Sequence, residues 1–369
     1  MNAHILHVFP SFAVGGISLR TVRVINYLGA RARHTIISLD DVTAAADRIA
    51  VGIDFKLIPI RIDKSRYIRN LLNFHHLLKR INPGLLATYN WGAIEWAGVN
   101  CIGPTRRHIH FEAGFHEDEA TRQFRRRIVA RRIALAKSDA VVVPSRTLQR
   151  IALEIWRLPP ARVKYVPDGI DVARFAGRRH DGAETGHSSA EIIIGTVAPL
   201  RPEKNLARLI EAFSLISIDP RFRLVIAGDG PERERLERLV ARKALGGRVT
   251  FLGYVPAPED ILPTFDIFGL SSDTEQIPNA VLEAMAAALP VASVDVGDIR
   301  EMVSPINRSF VVARDRADRL AVALRQLADD PHLRMHIGAE NRTRVEEHFG
   351  QERMLREYED LLLESAKII

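Results

Sequence analysis

The chain has 369 residues, 47% hydrophobic and 26% charged, with a formal net charge of +7. That length suits about two domains of roughly 100–200 residues each, with enough apolar residues for a core in both. No apolar run reaches the ~18 residues of a membrane span, no basic-then-apolar leader opens the chain, and the single Cys101 excludes an internal disulfide, so a cytoplasmic protein is expected.

In chain order, the first half alternates apolar runs with helical patterns. Strands are predicted at His4–Phe9, Thr35–Leu39, Phe55–Ile60, Leu85–Tyr89, His108–Phe111 and Ala140–Val143, with helices at Ile17–Leu28, Tyr67–Arg80 and Glu119–Lys137. Ala176–Ala190 is polar and glycine-rich and reads as a linker. A second series follows, with strands at Ile192–Val197, Arg223–Ala227, Val249–Leu252, Asp266–Leu270, Pro290–Val294 and Phe310–Val312. Its helices are predicted at Asn205–Ile216, Pro231–Lys243, Asn279–Ala288 and Asp318–Ala328, and the chain from Pro331 onward reads as helical. Strand and helix in alternation predict two α/β domains built on doubly wound parallel sheets. The expected division is 1–175, a linker 176–190, 191–345, and a C-terminal helix in 346–369.

Ser271 to Ala286 is the most informative stretch. Small polar turn formers follow an apolar strand, and Pro278 and Asn279 then sit where a helix starts. Glu275 falls in the loop and Glu283 in the second helical turn, so both carboxylates lie near the positive end of one helix at the carboxyl edge of a sheet. Two acids there can accept hydrogen bonds from a sugar or a ribose. Glu275, Pro278 and the string Leu282-Glu283-Ala284-Met285-Ala286 together resemble the donor-site motif of glycosyltransferase family 4, retaining enzymes of GT-B fold. One departure is Gln276, where the family often has glycine.

Arg201-Pro202-Glu203-Lys204-Asn205 lies between a strand and a helix, where Arg201 and Lys204 can meet a diphosphate alongside helix amides. The same string resembles the family's diphosphate-binding motif. Gly15-Gly16 opens the first predicted helix; bare backbone there suits a tight turn or a phosphate, and the resemblance implies donor phosphate. Gly228-Asp229-Gly230-Pro231 is read as a structural strand-to-helix turn.

His110 ends a predicted strand and joins Arg201, Lys204 and Glu275 as a catalytic candidate, able to donate to a sugar hydroxyl or exchange a proton, with Glu112 as a second candidate on the acceptor side; His108 and His116 compete with His110 in register. Trp91 follows another strand and could stack on a sugar or pack. Arg122, Arg125, Arg126, Arg127, Arg131 and Arg132 interleave with apolar residues, which fits either an anionic membrane surface or a solvated basic face. No recognised nucleic-acid module and no metal-ligand pattern is seen, so neither nucleic acid nor metal is expected.

The resemblance implies a GT-B fold, two Rossmann-like domains facing across a cleft. It implies sugar transfer from a nucleotide diphosphate sugar, as donor substrate with no other cofactor, to a glycan or lipid-linked acceptor hydroxyl. It implies donor contacts by Gly15, Gly16, Arg201, Lys204, Glu275, Asn279, Ala280 and Glu283, and, with the basic surface, a cytoplasmic protein at the inner membrane face in cell-surface polysaccharide or lipid-linked oligosaccharide assembly. A nucleotide-sugar epimerase of the same architecture, or a non-catalytic binding subunit, are the rival readings.

Overall fold

A computed structural model describes residues 3–60, 62, 65–103, 105–114, 124–175 and 191–364. The expected linker Ala176–Ala190, together with His116, Glu119 and Arg122, lies outside the described residues. The chain forms two compact units, Met1–Asp168 with Glu352–Ile369, and Gly169–Gln351.

The first unit holds a seven-stranded sheet of β1 (Ala3–Phe9), β2 (Ala32–Ser38), β3 (Phe55–Pro59), β4 (Leu85–Tyr89), β5 (Arg107–Phe111), β6 (Ala140–Val143) and β7 (Val163–Tyr165). The strand order is β3-β2-β1-β4-β5-β6-β7, with every pair parallel. β7 is not predicted from sequence: three residues at a sheet edge give too short a pattern to read.

The second unit holds β8 (Ile192–Val197), β9 (Phe222–Ala227), β10 (Val249–Gly253), β11 (Ile267–Leu270), β12 (Val291–Val294) and β13 (Val311–Val312). They form one parallel sheet in the order β10-β9-β8-β11-β12-β13. Strands such as β8 and β12 are buried almost throughout because helices cover both faces of a parallel sheet, so their sequences are near-continuous Ile, Val and Ala.

The first unit ends before Gly169, ahead of the expected residue 175, because the chain there already pairs within the second. Ile170 N–H donates to Phe349 O at 2.9 Å, Gln351 N–H donates to Ile170 O at 2.9 Å, and Phe175 lies in the second unit's core. From Glu352 the chain belongs to the first unit, whose core includes Met354, Leu355, Tyr358, Leu362 and Leu363. The expected helix Glu119–Lys137 is observed as Arg125–Ala134 within the described residues. Among the described residues no helix is long and apolar enough to cross a membrane.

Buried histidines mark the first unit. His7 donates to or accepts from Tyr89 Oη at 2.8 Å and His34 Nδ1 at 3.0 Å, and all its surroundings are buried. Burial, with His34 and His4 adding, holds the His7 imidazole well below its ordinary value; burial pushes His34 down to about 4 and His108 to about 3. These groups are neutral in the fold but protonate near 6.5 when unfolded, so the unfolded chain binds more protons as pH falls. Stability is therefore complete above about pH 6.5 and declines toward pH 4, by about 1.4 kcal/mol per pH unit for each such histidine. Thermal melts from pH 7.5 to pH 4.5 should show the first unit losing stability steeply below pH 6.5; a flat profile contradicts it.

Candidate functional site

In both sheets the strand order reverses beside the first strand of the unit, and open parallel sheets bind ligands at the carboxyl edge of that switch point. In the second unit the switch lies between β8 and β11. The loops after those two strands are the ones that carry Arg201 with Lys204, and Glu275.

The structure brings Lys204 and Glu275 into direct contact. Lys204 Nζ donates to Glu275 Oε1 at 2.6 Å, and Ser272 Oγ donates to the same oxygen at 2.7 Å. The carboxylate side chain is 9% exposed and the ammonium-bearing chain 20%. Arg201 stands on the same loop, 63% exposed, with Nη1 4.0 Å from Glu203 Oε1. Its position leaves the guanidinium open to an anion.

The Glu275 loop is braced by Arg208 and Arg314, which sequence reasoning passed over, and by Asn205, Glu203 and Asp273 from the two motif loops. Arg208 donates to Ser271 O and to Asp273 Oδ1, each at 2.7 Å; Asn205 Nδ2 donates to Asp273 Oδ2 at 3.0 Å; Asp273 N–H donates to Glu203 O at 2.8 Å. Arg314, from the loop after β13, donates to Asp273 O at 2.9 Å. No sequence signal marks Arg208 or Arg314, since their partners come from other loops and only the fold assembles them.

Gly297 completes the brace. It has φ +56°, and a Cβ there would stand 2.6 Å from Glu275 O and 2.7 Å from Gln276 O, so only glycine fits beneath the loop. The neighbouring Asp298 N–H donates to Gln276 O at 3.1 Å. Gly228 and Gly230 do the same for the Arg201 loop: both have left-handed φ, and a Cβ on Gly230 would stand 2.6 Å from Leu200 O. The Gly228-Asp229-Gly230-Pro231 turn thus shapes the cationic loop through its backbone.

Helix Asn279–Ala286 begins at Pro278, with Asn279 and Ala280 in its first turn and Glu283 in its second. Asn279 Oδ1 is buried with no hydrogen-bond partner among the described residues. Glu283 is half-buried and lies near Arg174, whose guanidinium it helps keep charged after Glu259, the principal partner at 3.1 Å from Nε.

In the first unit Gly15 caps helix Gly16–Leu28 without any side-chain hydrogen bond, and Val14 beside it is exposed. At the carboxyl end of β5, His110 and Glu112 are fully buried side chains 3.7 Å apart, while Trp91 is half-buried under the guanidinium groups of Arg127 and Arg131. His108 is buried too, sharing the Thr88 hydroxyl with His110. Among the described residues no group of three or more His, Cys, Asp or Glu side chains is set to hold a metal.

Residues 178–344 match the family described as Glycosyl transferases group 1, and residues 14–174 match Glycosyltransferase Family 4. The chain belongs to glycosyltransferase family 4, group 1. It is 27% identical over 232 residues to the N-acetyl-alpha-D-glucosaminyl L-malate synthase of Bacillus anthracis, covering 62% of this chain and 61% of that protein. It is 34% identical over 168 residues to the putative glycosyltransferase EpsF of Bacillus subtilis, covering 44% of each. The matches thus span less than two thirds of either relative's length.

Solved structures give the same architecture for this family 4 chain. A glycosyltransferase from Rickettsia africae superposes with a TM-score of 0.85 at 17% identity, covering 100% of both chains. HepE of Anabaena, in complex with UDP-glucose, superposes with a TM-score of 0.80 at 16% identity, covering 98% of this chain and 99% of that one. The fold is GT-B, with two Rossmann-like domains.

Proposed function

We propose that the chain transfers a sugar from a nucleotide diphosphate sugar to an acceptor hydroxyl, with retention of the anomeric configuration. The ion pair of Lys204 and Glu275 at the switch point of the second sheet carries this reading. It sets a cation for the leaving diphosphate beside a carboxylate for the sugar's hydroxyls, with Arg201 open on the same loop. Charge grows on the diphosphate as the glycosidic bond breaks, and fixed cations stabilise that state more than the ground state.

In this reading Arg201 and Lys204 hold the diphosphate, the first-turn amides of Asn279 and Ala280 add to the field, Glu283 binds the ribose and Glu275 the donor sugar. Gly15 and Gly16 offer bare backbone amides that suit a phosphate, and His110, Glu112 and Trp91 serve the acceptor. The HepE structures with UDP and UDP-glucose, and the GDP-mannose-dependent relative in Mycolicibacterium smegmatis, 25% identical over 326 residues, support a nucleotide sugar as donor without choosing its base. Assembly of a cell-surface polysaccharide at the inner membrane face fits the basic helix Arg125–Ala134, which exposes Val129 and Ile133 beside Arg125 and Arg126.

The test is turnover with uridine, guanosine and adenosine diphosphate sugars against a glycan and lipid-linked acceptor panel, with the product's anomeric configuration read by NMR. A retained anomeric centre supports the reading. Rearrangement of the donor without acceptor, the epimerase outcome, contradicts it, as does binding with no turnover. Glu283→Gln should weaken nucleoside diphosphate binding about tenfold, the order expected for one charged hydrogen bond; calorimetry checks it, and an unchanged affinity removes the ribose role.

A further inference from the structure

The carboxyl end of β5 carries an acid that donor binding leaves unused. Glu112 follows the last residue of the strand, and its N–H donates to Val142 O at 3.0 Å. Its side chain is fully buried, and neither carboxylate oxygen has a hydrogen-bond partner among the described residues. Leaving a buried carboxylate short of donors is costly, so the two open acceptor sites call for a physical role.

The surroundings hold that carboxylate in place. Arg131 Nε lies 3.4 Å from Glu112 Oε2, and the Arg131 guanidinium sits 4.8 Å from the ring centroids of both Trp91 and Trp156. A flat, delocalised cation suits a slot between two indoles, and an ammonium does not. His110 Nε2 lies 3.7 Å from Glu112 Oε2, while its Nδ1 meets Thr88 Oγ1 at 2.8 Å. The chain of contacts continues from Thr88 Oγ1 to His108 Nε2, and from His108 Nδ1 to Ser138 Oγ, each at 2.8 Å. His110 Nδ1 is thereby occupied by Thr88, while its Nε2, facing Glu112, is like both carboxylate oxygens buried without a hydrogen-bond partner among the described residues, so the unmet hydrogen-bonding capacity is centred on Glu112.

We infer that Glu112 is the binding site for a hydroxyl of the acceptor glycan, with Arg131 and His110 as its positioning residues. The inference deepens the transferase reading and rests on it. Arg131 already balances the carboxylate's charge, so the fitting ligand is a neutral donor such as a sugar hydroxyl rather than a cation. Because Glu112 is 1% exposed, the hydroxyl must displace covering residues, and its binding is coupled to a local rearrangement.

The experiment compares wild type with Glu112→Gln, Arg131→Lys and Arg131→Met in full-length protein. It measures folding by thermal melt, nucleoside diphosphate affinity, donor hydrolysis without acceptor, and acceptor KM and kcat. Glu112→Gln should lower the melt, since the buried Arg131 loses its counter-ion, but keep the fold and the diphosphate affinity while raising acceptor KM about tenfold to a hundredfold, the range for one charged hydrogen bond. Arg131→Lys should fall between wild type and Arg131→Met in acceptor KM. Should Arg131→Met fail to fold, Glu112→Gln and Arg131→Lys still decide. Acceptor KM within twofold of wild type in Glu112→Gln overturns this inference alone. A wild-type chain that releases no diphosphate from any nucleotide sugar overturns it together with the transferase reading.

Discussion

Lys204→Ala is expected to lower kcat/KM for sugar transfer by about 10²–10³-fold, the loss typical when one fixed group that stabilises transition-state charge is removed. Two effects add. The leaving diphosphate loses a cation that costs no reorganisation when charge develops. Glu275, 9% exposed and bonded through Oε1 to Lys204 and Ser272, loses its counter-ion. An unbalanced carboxylate then faces an anionic substrate and disfavours it further. Lys204→Arg should recover part of the rate, since it returns the charge with a bulkier head. Steady-state kinetics with the turned-over donor, alongside a circular dichroism spectrum to confirm folding, make the comparison. An unchanged kcat/KM in Lys204→Ala contradicts the assignment.

Arg20→Met is expected to destabilise the first unit by about 3–5 kcal/mol, the cost of leaving one member of a buried ion pair alone. Arg20 lies on helix Gly16–Leu28 and is paired with Asp168, the last residue of the first unit's main segment; the side chains are 5% and 16% exposed. Tyr358, from the C-terminal helix Gln351–Glu359, is buried in the same neighbourhood, and burial raises its hydroxyl's pKa while Arg20 pulls the other way. One guanidinium therefore ties three distant stretches of chain together. Asp168→Asn should cost less, because the amide oxygen still accepts a hydrogen bond. Urea unfolding gives the comparison through the midpoint at constant slope. A loss below about 1 kcal/mol, the level of a surface pair, contradicts a structural role for this contact.

The helices and strands are legible in the sequence because both periods are strong. β8 reads Ile-Ile-Ile-Gly-Thr-Val and is buried along its length, and helix Leu206–Ile216 buries Leu206, Leu209, Ile210 and Phe213 at helical spacing. Arg201, Lys204, Glu275 and Glu283 stand out in the sequence through their places after strands or in a helix's first turns and through the family motif, and the structure brings Lys204 and Glu275 together. Arg208, Arg314 and Gly297 do not stand out, because their function is to hold another loop's backbone and depends on which strands are neighbours. The register of His108 and His110 is equally hidden: both reach one hydroxyl, Thr88 Oγ1, from an adjacent strand. Sequence spacing cannot say that both rings point inward while Glu112 is left short of donors.

The most direct measurement is a calorimetric titration of uridine, guanosine and adenosine diphosphates into wild-type protein and into Arg201→Ala and Lys204→Ala. The account expects at least one nucleotide to bind the wild type, and each substitution to weaken it by about tenfold or more. Binding by none of the three, or the same affinity in all three proteins, would show that these cations do not grip a diphosphate.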